Sequence, residues 1–137
     1  MLEYASQVWS PSKITDIELL ESVQRYFTRR LPGMRTLSYS DRLRTLGLKS
    51  LEERRLYLDL VFCYTCLNDL NGITPADIGL VVSQLPTRGH DFKLTTFHSE
   101  ITVRSNFFAN RVVKVWNSLP SSVIASRLPV LTLSNVR

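Results

Sequence analysis

Six arginines fall within one short stretch: Arg25, Arg29, Arg30, Arg35, Arg42 and Arg44, with Tyr26 and Tyr39 among them. A guanidinium is a planar fork of N–H donors that holds phosphate oxygens in pairs. Such contacts fix a protein on a nucleic-acid backbone without reading its bases. The chemistry implied is therefore adhesion to the backbone of RNA or DNA. The same residues also suit a solvated helix end that complements its own dipole. The pattern leaves both readings open. A smaller set, Arg104, Arg111 and Lys114, reads as the wet face of a late helix.

Cys63 and Cys66, the only cysteines, stand three apart. Redox pairs with that spacing open a helix, where the dipole lowers a thiol pKa. These two lie deep inside an apolar run instead. Zinc would need two further ligands, and His90 and His98 are the only histidines, spaced unlike any zinc finger. Two buried small hydrophobes are the preferred reading. No glycine cluster could cradle a phosphate, no nucleophile motif is present, and no two Asp are adjacent for two-metal chemistry. The expectation is a non-enzyme with no cofactor, no metal and no small-molecule substrate.

The net charge is +5 over 137 residues, with 44% hydrophobic and 21% charged residues, as in ordinary globular chains. That balance permits nucleic-acid contact without requiring it. The opening residues carry Glu3 where a secretory signal would carry a base, and no apolar core follows. The most apolar stretch, 56–67, includes Asp59 and falls short of the roughly 20 residues a membrane span needs. A soluble intracellular chain (nuclear or cytoplasmic) with no membrane partner is expected.

The elements that must position the arginines follow from periodicity. From Ser12 to Leu31, Ile14, Ile17, Leu20, Val23, Phe27 and Leu31 recur every three or four residues. Ser12 is the expected cap, and Glu21 and Arg25 are spaced for an ion pair. Pro32-Gly33 ends the helix. A short helix at 42–46 should begin at Ser40 or Asp41 and close on Gly47. Ser50 and Glu53 form a capping box that opens a helix reaching about Leu70, apolar on most sides and hence central. Thr74-Pro75 starts a short turn of helix. Residues 92–97 and 101–103 suit a short β-hairpin. Ser105 should cap a last helix bounded by Pro120, with Trp116 near its end as an anchor burying its ring while Asn117 turns the chain, after which no clean period remains.

Three segments together resemble one family. Leu2-Glu3-Tyr4-Ala5-Ser6-Gln7-Val8-Trp9-Ser10-Pro11, Glu18-Leu19-Leu20-Glu21-Ser22-Val23-Gln24-Arg25-Tyr26-Phe27-Thr28-Arg29-Arg30 and Val115-Trp116-Asn117-Ser118-Leu119-Pro120 are similar to the region after the palm in reverse transcriptases of non-LTR (LINE-type, jockey/CR1-like) retrotransposons. Tyr39-Ser40-Asp41-Arg42-Leu43 and Arg54-Arg55-Leu56 fit between them, so the likeness spans about residues 2–125. It implies a helical thumb and C-terminal extension that grip a template–primer, with the palm and fingers of the same polymerase as original partner. It also implies that Met1 stands at an internal position of a longer chain. The segment 127–133 departs from the family's Phe- and Lys-rich helical finish, which points to a shifted frame, a spliced junction or a truncated copy. Tyr57-Leu58-Asp59 has Leu60 where a polymerase Tyr-x-Asp-Asp turn has its second Asp, and is read as coincidence.

The expected fold is mainly α, a small thumb-like helical bundle with room for one short hairpin. Residues 1–82 would form the thumb-like region, 83–91 a linker, and 92–137 an extension with hairpin and helix. The expected function is a non-catalytic C-terminal fragment of an RNA-directed DNA polymerase that positions template–primer. The alternatives are a host-adopted basic nucleic-acid-binding module and a helical protein adaptor using Phe108, Val112 and Trp116.

Overall fold

The computed structural model describes residues 4–84, 90–96 and 106–125. The described residues form six α-helices and no sheet, the mainly helical class expected. They are α1 (Ser6–Trp9), α2 (Ile14–Arg29), α3 (Tyr39–Leu46), α4 (Leu51–Leu67), α5 (Phe108–Ser118) and α6 (Ser121–Ala125), with a 3₁₀ turn at Pro75–Ile78. The chain divides into two compact units, residues 1–56 and 57–137. None of the described helices is long and apolar enough to cross a membrane. The linker expected at 83–91 lies largely outside the described residues.

In the first unit, α2 starts one residue later than expected, with Lys13 rather than Ser12 at its cap. Its expected apolar face does not become a core. Ile17, Leu20 and Leu31 are half-buried, while Ile14, Val23 and Phe27 are exposed. The side chains α2 buries are Glu21 and Thr28. α2 packs against α3, which begins at Tyr39, earlier than expected, because Ser38 accepts the Asp41 amide at 3.2 Å as N-cap. Gly47, at φ 64°, closes α3 with its amide on the Arg44 and Leu43 carbonyls. That backbone is left-handed, where a side chain is strained.

α4 opens on the capping box: the Glu53 amide donates to Ser50 Oγ at 3.1 Å, and the Ser50 amide to Glu53 Oε2 at 3.4 Å. It ends at Leu67, short of Leu70. The 3₁₀ turn is held by Asp77 Oδ2, which accepts from the Thr74 amide at 2.9 Å and the Thr74 hydroxyl at 2.7 Å.

The second unit has the apolar core. Leu60, Cys63, Cys66, Leu80, Leu94, Phe108, Val112, Val113, Trp116, Leu119 and Ile124 are buried within it. Phe62 and Phe108 meet edge to face, ring centroids 5.4 Å apart. Asp59 and Arg111 make a forked ion pair, Nε to Oδ2 at 2.8 Å and Nη2 to Oδ1 at 3.1 Å. Arg111 is thus not on a wet face as expected, because the buried Asp59 carboxylate draws it inward.

Leu94 forms a single antiparallel bridge with Val82, flanked by Ser83 amide to Lys93 carbonyl and Thr95 amide to Val81 carbonyl, each 2.7 Å. Residues 101–103, its expected partner, lie outside the described residues, as does Ser105. α5 begins at Phe108 with Phe107 as cap. α6 follows Pro120 directly, where no helix was expected.

Candidate nucleic-acid interface

α2 and the turn after it decide where the arginines go. The Leu31 carbonyl accepts the Met34 amide at 3.1 Å, with Pro32 and Gly33 at the turn's centre. Gly33 sits at φ 76°, the positive value this kind of turn demands at its third residue. The turn and the end of α2 enclose a shallow concavity of about 740 Å³, lined by Tyr26, Arg29, Arg30, Leu31, Pro32, Gly33 and Arg35. All three arginines are exposed. The Arg30 guanidinium carbon lies 4.1 Å from the centre of the Tyr26 ring. A guanidinium stacked on an aromatic face keeps its in-plane N–H donors free to point outward.

The other three are used elsewhere. Arg42 is 5% exposed, with its Nε buried and without a hydrogen-bond partner. Such a group is enclosed by the fold and cannot reach an external phosphate. Arg25 and Arg42 both lie against the Tyr39 ring, at 5.1 and 5.6 Å from its centre. Arg44 is exposed and paired with Asp41 at 3.1 Å. The six-arginine stretch therefore resolves into a free trio, Arg29, Arg30 and Arg35, and a set engaged within the unit.

The network beneath was not visible in the spacing. Glu21 does not bond Arg25. It accepts the Tyr39 hydroxyl and, at 2.9 Å, the Leu51 amide at the start of α4. Gln24 donates to the Tyr39 oxygen at 3.2 Å and to the Lys49 carbonyl at 2.9 Å. Burial, and then the hydrogen bond to Glu21, push the Tyr39 hydroxyl up to about 12. The missed signal is an acid and an amide three apart on α2, Glu21 and Gln24, whose partner Tyr39 opens α3. No local motif records that.

No protein-family model, curated protein or solved structure matches the chain.

The remaining candidates have structural roles. Burial, with Cys66 and Asp59 nearby, pushes the Cys63 thiol up and away from reactivity. Cys66 Sγ accepts from Asn71 Nδ2 at 3.3 Å. Among the described residues, no group of three metal-capable side chains gathers; His98 lies outside them. Both Asp59 oxygens are held by Arg111. Phe108, Val112 and Trp116 are core, so the adaptor surface they were expected to offer is not exposed.

Trp116 is the anchor expected, 1% exposed, its indole donating to the Phe92 carbonyl at 2.8 Å. Its own carbonyl accepts from His90 Nε2 at 3.1 Å. Asn117 does not turn the chain. Its amide pairs with both backbone groups of Leu94, at 2.9 and 2.8 Å, as a strand neighbour would.

Proposed function

We propose that this chain is a non-catalytic nucleic-acid grip derived from the post-palm region of a non-LTR retrotransposon reverse transcriptase. In this reading it holds template–primer backbone, and phosphoryl transfer belongs to the polymerase palm. The observation that carries it is the free trio: three exposed guanidiniums around one concavity, with no acid paired to any of them among the described residues. In a chain of net charge +5 they offer the kind of cationic surface that attracts phosphate. The likeness of residues 2–11, 18–30 and 115–120 to that family supplies the origin. Host adoption would change the history of the grip and leave its physics as it is.

The test is binding of a labelled template–primer carrying an unpaired overhang, at roughly 50 mM salt. Alanine at both Arg29 and Arg30 should weaken it about tenfold or more. Arg44→Ala should change it by less than about twofold, since Asp41 already engages that guanidinium. Absence of any binding by the unaltered chain would remove the reading. For the origin, a frame encoding Tyr-x-Asp-Asp in the DNA preceding this coding region is expected, and an unrelated promoter and exon there would count against it.

A further inference from the structure

At about 3.6 residues per turn, Leu19, Val23, Tyr26, Phe27 and Arg30 fall on one side of α2. This is the side turned away from Glu21 and Thr28, the residues α2 buries. It is apolar and open: Leu19 is 70% exposed, Val23 50%, Tyr26 59% and Phe27 63%. The stripe runs directly into the concavity, because Tyr26 and Arg30 belong to both. A purely backbone grip has no use for it. In a duplex the base faces are hidden in the stack, and only base edges, sugar and phosphate meet the protein.

An unpaired strand is different. Its bases expose flat faces that stack on aromatic rings and guanidinium planes, while its phosphates meet arginine forks. Two adjacent aromatics leading to three free arginines offer both kinds of contact in the order a single strand presents them. We infer that the α2 stripe and its concavity bind an unpaired nucleic-acid strand, with bases on Tyr26, Phe27 and the Arg30–Tyr26 stack and phosphates on Arg29 and Arg35. The inference rests on the proposed nucleic-acid grip and names the substrate class of that same site. Charge complementarity selects this occupant over an apolar protein surface, which would leave three guanidiniums without counter-charge.

The experiment compares the intact chain on three labelled probes of about 12 nucleotides: oligo(U), oligo(dT) and a blunt RNA–DNA duplex. Both single strands should bind at least about fivefold more tightly than the duplex. A gap between oligo(U) and oligo(dT) would assign the site to one sugar. Phe27→Ala should weaken single-strand binding by about tenfold and leave duplex binding unchanged; Tyr26→Ala should weaken single-strand binding by about tenfold, and Tyr26→Phe should retain it. All these positions are exposed, and circular dichroism checks that each variant keeps its helices. If the duplex binds as well as the single strands, or the aromatic variants lose nothing while Arg29→Ala weakens every probe, the inference is overturned and the backbone grip survives. If no probe binds, both fall.

Discussion

Tyr39 ties the first unit together through one hydroxyl. It donates to Glu21, accepts from Gln24, and its ring faces Arg25 and Arg42. Glu21 in turn holds the first amide of α4, so a single carboxylate links α2, α3 and α4. Tyr39→Phe removes the donor to that buried acid and should cost about 2 kcal/mol of unfolding free energy. The pH dependence has a definite sign. The hydroxyl titrates near 10.0 when free and at about 12 in the fold. The folded state thus favours the neutral phenol, and its contribution is complete below pH 10. It is lost as the pH rises from 10 towards 12, where the unfolded chain ionises first. Urea titrations across that range should show stability falling in the unaltered chain. The part of the fall due to this hydroxyl should be absent in Tyr39→Phe. An equal fall in both would refute the assignment.

The helices differ in how they use their apolar residues. α5 buries Phe108, Val112, Val113 and Trp116, as its period requires. α2 has a comparable repeat yet exposes Leu19, Val23 and Phe27. Val23→Ser with Phe27→Ser should therefore shift stability by less than about 1 kcal/mol. Trp116→Ala should cost about 3 kcal/mol or more, through the cavity and the lost Phe92 bond. Thermal unfolding of the two variants side by side checks this, and equal losses would mean α2's outer face is packed after all. The contrast also marks where sequence reading worked. Local chemistry was legible: Gly47 as a cap, Ser50 with Glu53, Thr74-Pro75, Trp116 as an anchor. Long-range partners were not. Whether an apolar face is covered depends on what packs there, so the period of α2 placed its hydrophobic residues on one side without telling which of them are buried. Nothing near Arg111 names Asp59, and nothing near Asn117 names Leu94. Of the six arginines, Arg42 and Arg44 are engaged by Tyr39 and Asp41 three residues away, and only Arg25 by a distant residue, Tyr39.

The two units are built on different terms. Of the buried apolar side chains among the described residues, only Leu51 belongs to residues 1–56. The first unit relies on a polar network, encloses Arg42 and Arg55, and keeps Leu19, Val23, Phe27 and the arginine trio outward. The second has a core of leucine, valine, phenylalanine and tryptophan. A unit that exposes apolar area beside unpaired charge is suited to contact rather than to self-sufficiency. The contact we propose is nucleic acid, held by Arg29, Arg30 and Arg35. Its salt dependence is the most direct measure, because each phosphate neutralised releases counterions. The affinity for a single strand should fall with salt at a logarithmic slope of about −1.4, as the two phosphate contacts at Arg29 and Arg35 require. In the triple variant Arg29→Ala, Arg30→Ala, Arg35→Ala the slope should lie near zero. A slope near zero in the unaltered chain, or an equally steep one in the triple variant, would contradict the proposed grip.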